Sequence, residues 1–283
     1  MSIFLAGLAS LCSGISVIFS KTGMKNVSHY LVSAITNSVI FLLFTGTVIF
    51  SGQIDQLKEV QRWDLILLSG IALAISWIFY YLGLKDGPVS TVLALQNLSI
   101  VFTMVLGSLL LGEPITVAMV FAAFLMAAGT ILLIEHPPAG RSPAGKVWIF
   151  YELFSSAAIA LSFVLTKMDR TPVDSNLSSS IRYLIVMILM WLGVFVTNRQ
   201  GQIKTIEKES WKSILWGGIF LGLGYMFFYR ALPMGLVSMV TTIFRMNIIV
   251  STLLSIPFLQ EKLTVRGKWG LGVMTAGVLL FTI

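Results

Sequence analysis

Ten apolar runs alternate along the chain with short polar breaks. They occupy approximately 3–22, 30–50, 64–84, 88–111, 115–134, 147–167, 177–197, 212–232, 235–259 and 264–282. At about 1.5 Å of rise per residue each run can cross roughly 30 Å of hydrocarbon, so each predicts a transmembrane helix. The breaks carry helix stops: Gly52 with Asp55, Gly87-Pro88, Glu113-Pro114, Pro172 with Asp174, Gly201, and Pro233 with Gly235. Only residues 136–146, which open on His136-Pro137-Pro138, have the composition of a domain joint. This linker separates five spans in 1–135 from five in 147–283.

The even division prompts a search for internal similarity. Residues 81–135 align without a gap on 229–283 at a constant offset of 148. Tyr81 falls on Tyr229, Leu84 on Leu232, Gly87 on Gly235, and Val89-Ser90 on Val237-Ser238. Further on, Glu113 falls on Glu261, Thr116-Val117 on Thr264-Val265, and Ala128-Gly129 on Ala276-Gly277. About sixteen of some fifty-five positions are identical. Lys21 and Lys167 close the first span of each half at an offset of 146. An odd number of spans per half turns the second copy upside down in the membrane. The expected fold class is therefore an all-α integral membrane protein, ten transmembrane helices arranged as two inverted five-helix repeats. Inverted repeats of this kind are a transporter signature.

Two five-span halves, a lysine ending the first span of each, and a Gly-Glu-Pro-like hairpin before the last span resemble the drug/metabolite transporter superfamily, EamA group. The hairpins are Leu111-Gly112-Glu113-Pro114 and Leu259-Gln260-Glu261-Lys262; the second lacks both Gly and Pro. The resemblance covers essentially the whole chain. It implies a carrier of amino acids or other metabolites, most members being exporters, with both termini in the cytoplasm. Loops after odd-numbered spans hold more Lys and Arg than the others, which by the positive-inside rule puts the termini outside. Both arguments place the termini on one side.

Composition narrows the function further. Of 283 residues 57% are hydrophobic and only 11% charged, with a mean hydropathy of +0.91. Soluble domains average roughly 25% charged residues, so soluble enzymes and nucleic-acid binders are excluded. The net charge of +7 comes from residues between apolar runs, where cations anchor loops at anionic headgroups rather than marking a nucleic-acid partner. A single cysteine, Cys12, rules out an intrachain disulfide. The N-terminus lacks a basic stretch and a small-residue cleavage site, so residues 3–20 are read as a retained span.

In a bilayer the informative residues are polar ones at depth, because a central charge costs at least about 2.5–3.5 kcal/mol on insertion scales. Arg245 lies in the middle of the ninth span, too deep to snorkel. Its repeat-mate is Asn97, preceded by Gln96, and Asn247 corresponds to Ser99. Gln96, Asn97, Arg245 and Asn247 form the candidate substrate-binding set around a midplane cavity. A structural alternative is that Arg245 ties helices together through carbonyls or Asn97. Depth counting leaves Glu152, about a turn and a half into the sixth span, short of Arg245. An unpaired guanidinium favours a carboxylate presented in bidentate geometry. Trp77 and Tyr225, equivalent positions on the third and eighth spans, are candidate walls of the site. Tyr81 and Tyr229 approach span ends, where packing and interfacial anchoring are the simpler reading. Lys21, Lys167, Glu152 and Arg182 are gating or coupling candidates. The lysines can instead snorkel, and Arg182 reaches either a vestibule or the interface. A carboxylate at Glu113 or Glu261 complements the N-terminus of the helix that follows it.

These residues predict a secondary-active or facilitative exporter of small polar metabolites, amino acids or related carboxylate-bearing compounds foremost, working by alternating access around the midplane cavity. The alternatives are a carrier of cationic metabolites or drugs and a non-transporting receptor or scaffold. Catalysis is not expected: histidines occur only as His29 and His136, and no aspartate lies at depth. No P-loop, cofactor or metal motif is present. The expected partners are a small-molecule substrate and the bilayer of the inner cell membrane, with the monomer as the working unit.

Overall fold

Isolated apolar runs of this length have one low-energy solution in lipid, the helix, since it satisfies every backbone hydrogen bond internally. The computed structural model describes residues 1–24, 27–86, 92, 95–133, 147–169, 171–259 and 264–281. The predicted linker 136–146 and hairpin residues 260–262 lie outside them. All regular structure among the described residues is helical. In the first half it runs α1 (Ser2–Gly23), α2 (His29–Phe50), α3 (Trp63–Asp86), α4 (Ser99–Leu111) and α5 (Val117–Leu133). The second half continues with α6 (Val147–Met168), α7 (Ser175–Val196), α8 (Lys208–Ala231), α9 (Val237–Phe244), α10 (Asn247–Leu259) and α11 (Val265–Phe281).

Seven stretches among the described residues are long and apolar enough to cross a membrane. They are α1, α2, Trp63–Tyr80 of α3, α6, α7, Lys208–Met234, and Val237–Phe258 across α9 and α10. The remaining predicted spans correspond to shorter helices. The run 88–111 gives the 13-residue α4, and 115–134 and 264–282 give the 17-residue α5 and α11. Helix bounds recur between the halves: α2 and α7 are both 22 residues long, while α4 matches α10 and α5 matches α11 at 148.

Burial is inverted relative to a soluble protein. Ser10, Ser33, Ser69, Thr103 and Ser162 are buried, whereas Phe4, Phe50, Phe121, Phe124 and Trp269 are exposed. Apolar side chains outward and hydroxyls inward suit a hydrocarbon solvent. This is a membrane protein.

The tightest pairings join the two halves. α1 packs on α8, α6 on α3, and α11 on α5; α8 also meets α2, and α3 meets α7. Small residues allow this closeness. A Cβ on Gly224 of α8 falls 2.4 Å from Ser13 Oγ and 3.0 Å from the Ala9 carbonyl of α1. Gly218 and Gly222 face Val39 and Leu43 of α2 in the same way. Ser13 and Ser16 of α1 thus lie on a packing face, and Ser16 donates to the Gly217 carbonyl at 2.7 Å. On the other pair, Ser155 and Ser162 of α6 donate to the carbonyls of Ser76 and Ser69 on α3 at 2.9 and 2.8 Å. These staples fix the register of α6. Gly224→Leu is expected to cost about 1–3 kcal/mol through overpacking, measured as a lowered melting temperature in detergent. Gly7→Leu, with nothing within 4 Å of the added carbon, leaves the melting temperature unchanged.

Candidate functional site

The helical path is interrupted at two equivalent places. Asn97-Leu98 is a turn before α4, and Arg245-Met246 is a turn between α9 and α10, again 148 residues apart. At the second break Arg245 N still bonds to the Thr241 carbonyl, but Met246 N reaches only Ile243, at 3.1 Å. The tightened i→i−3 pattern redirects the chain where the sequence places its deepest cation.

Arg245 is 4% exposed. Its Nη1 donates to Gln96 Oε1 at 3.2 Å, so the two breaks touch through their side chains. Nε and Nη2 are buried without hydrogen-bond partners. Its electrostatic neighbours are Tyr225, Glu152 and Tyr80. The position of Glu152 corrects the depth estimate from sequence. It is fully buried, both carboxylate oxygens lack partners, and it acts electrostatically on Arg245. Counting along one helix misses the lateral approach: Ser156, one turn on, donates to the Leu95 carbonyl at 3.1 Å and draws α6 against the Gln96 segment. Gly83 of α3 makes the niche, since a Cβ there falls 2.5 Å from Glu152 Oε1.

Other site candidates divide. Asn97 does not bond to Arg245; its Nδ2 donates to Thr130 Oγ1 of α5 at 3.3 Å. Asn247 is half-buried at the start of α10, where its carbonyl lies 3.0 Å from a Cβ built on Gly14. Trp77 packs edge-on to Tyr80, with ring centroids 5.7 Å apart, near Trp148 and Val92. Tyr225 is buried against Phe244 at 5.5 Å, Tyr183 at 5.6 Å and Tyr229 at 5.8 Å. Tyr229, expected as an anchor, is instead buried under Arg182, whose guanidinium carbon lies 5.7 Å from its ring centre. The side chain of Tyr81 lies outside the described residues.

Beyond this aromatic layer is a cavity of about 590 Å³ lined by Glu113, Lys167, Asp169, Ser178, Arg182 and Tyr229. Arg182 is buried rather than interfacial. It donates through Nε to Ser69 Oγ at 2.7 Å and through Nη2 to Asp169 Oδ2 at 3.3 Å. Lys167 does not end in solvent: it pairs with Glu113 Oε1 at 2.5 Å and donates to the Gly235 carbonyl. Glu113 also departs from expectation. Gly112 closes α4 in the left-handed conformation, with Glu113 N bonded back to Gly107 O at 3.2 Å. The carboxylate then accepts from Val237 N at 2.8 and 3.0 Å, capping α9 in the other half. Lys21 lies exposed in the last turn of α1.

Tyr183, Asp169 and Gly83 belong to this site and were not singled out from sequence. Asp169 carried a usable signal, an acid two residues beyond the lysine that closes a span. Among the described residues no group of three or more His, Cys, Asp or Glu side chains could hold a metal. Chemically, the centre offers two unpaired guanidinium nitrogens and two unpaired carboxylate oxygens beside aromatic rings.

A crystal structure described only as that of a protein superposes with a TM-score of 0.81 at 16% identity, covering 99% of this chain and 96% of that one. It shows the fold alone. An uncharacterized transporter in the cobO 3′ region of Sinorhizobium sp. is 30% identical over 132 residues, 46% of this chain and 94% of that protein. An uncharacterized transporter of Archaeoglobus fulgidus is 21% identical over 287 aligned positions, covering 100% of this chain and 98% of that one. The profile of the EamA-like transporter family matches residues 1–135 and again 146–283, and the chain belongs to that family.

Proposed function

We propose that the protein is a ten-helix carrier of two inverted five-helix repeats that moves small carboxylate-bearing metabolites, amino acids foremost, by alternating access. The observation that carries this reading is Arg245, buried at a helix break with Nε and Nη2 unpartnered. A buried guanidinium in that state favours a ligand carboxylate, which accepts two parallel hydrogen bonds. Gln96 orients it, and Trp77 and Tyr225 form walls. Discontinuous helices meeting at the midplane are the usual construction of such sites. The cavity beside Lys167 and Arg182 serves as the vestibule on the side of the chain termini. On this reading a monomer in the inner cell membrane is the working unit, with export as the direction.

The test is counterflow in proteoliposomes loaded in turn with amino acids, organic acids and cationic metabolites. Exchange of labelled carboxylate-bearing compounds is expected. Exchange of cations alone would overturn the assignment of cargo.

A further inference from the structure

Glu152 is the buried group that the carboxylate reading leaves without a task. Its two oxygens and the Nε and Nη2 of Arg245 are all unsatisfied, and the two side chains interact electrostatically without a hydrogen bond between them. A buried charge or polar group with no partner is costly, and native structures retain such groups where a ligand or proton completes them. Two donors on one side and two acceptors on the other are the complement of an α-amino acid head group. Its carboxylate fits the guanidinium fork, and its ammonium fits the carboxylate.

The surroundings of Glu152 restrict what can neutralise it. On α3 it meets Gly83, which has no side chain, with Tyr80 one turn away. On its own helix Tyr151 turns to Phe79, with ring centroids 5.9 Å apart. Across the site are Arg245 and, behind it, Tyr225; α4, which packs on α6, carries no titratable side chain. The side chains of Lys85 and Asp86 lie outside the described residues. Among the described residues Arg245 is therefore the one charged group acting on Glu152.

We infer that Glu152 is the ammonium-binding and proton-exchanging residue of the site, so that the carrier takes zwitterions and each one bound displaces a proton. This rests on the carboxylate reading of Arg245 and extends it. In the empty site a proton satisfies the Glu152 carboxyl. An arriving ammonium supplies the donors instead, the O–H bond breaks, and the proton leaves to solvent. Cargo and proton then occupy the site alternately, which couples export of the zwitterion to inward movement of one proton. A monoanion engages Arg245 and leaves the proton in place.

The test uses the full chain in nanodiscs with two probes: a mixture of L-amino acids, and the matched 2-hydroxy acids, in which a hydroxyl replaces the ammonium. Binding is read as a rise in melting temperature and proton release with an indicator dye in weak buffer. Amino acids are expected to bind and release about one proton per site. The hydroxy acids are expected to bind at least about tenfold more weakly and release none. Glu152→Gln is expected to lose proton release and bind the two probes alike. Amino-acid binding without proton release, binding of hydroxy acids alone, or undiminished proton release from Glu152→Gln overturns this inference while the carboxylate reading survives. If neither probe binds wild-type protein, both fall.

Discussion

Arg245→Ala is expected to lower flux of a carboxylate cargo by at least about a hundredfold while leaving the protein folded. The loss arises because the guanidinium supplies the one deep positive charge at the helix breaks, and an alanine leaves the cargo carboxylate buried without donors. Arg245→Lys is expected to recover little. Its ammonium is a point charge on a flexible stem and cannot present the planar fork to a carboxylate while still bonding to Gln96. Both variants are read in reconstituted vesicles, with elution volume and melting temperature as checks on folding. Folded Arg245→Ala protein that transports at the wild-type rate would remove Arg245 from the site. Loss of the Gln96 contact alone has a smaller effect, since Gln96→Ala keeps the charge and costs one hydrogen bond of about 1.5–3 kcal/mol.

The second large effect is expected at Glu113. Its carboxylate joins three elements: the end of α4, the N-terminus of α9, and Lys167 at the end of α6. Together these contacts hold one wall of the cavity with charge-assisted bonds, each worth about 1.5–3 kcal/mol. Ser178 lines the same cavity and is 5% exposed, so Ser178→Cys in a Cys12→Ser background reports its opening. Labelling by a membrane-impermeant maleimide is expected to rise about tenfold or more when Glu113→Gln is added, and similarly with Lys167→Met. Neutralising either partner leaves the other as an unpaired charge at the same place, so the two variants should act in one direction. Equal labelling in all backgrounds would mean that the contact holds nothing shut.

Apolar patterning made the helices legible and left their lateral neighbours open. The runs at 3–22, 30–50, 147–167 and 177–197 coincide closely with α1, α2, α6 and α7, because a membrane span declares itself by length. The run 235–259 concealed a break, since Arg245-Met246 lies among residues that are apolar on both sides. Arg245 itself was legible as a cation out of place. Its partner was not: equal register in a repeat pointed to Asn97, yet Gln96 makes the bond and Asn97 turns to Thr130. The repeat fixes depth, whereas which side chain points inward depends on how the chain turns at the break. Glu152 shows the same limit. Its depth along α6 was countable, but the serine staples to α3 and to Leu95 decide what it faces. Glu113 was read as serving its own hairpin, and the left-handed turn at Gly112 sends it across to α9.

The cross-half pairings have a consequence for how such a molecule divides mechanically. α1 and α2 grip α8, and α1 also lies along α10; in the second set α6 and α7 grip α3, and α6 lies along α4. Each set draws helices from both halves of the chain, so the two polypeptide halves are interlaced like clasped fingers. The packing unit is therefore one braid of the two and not one half of the sequence. The close glycine contacts of α8 lie inside one such braid, and α2 packing along α7 joins the two.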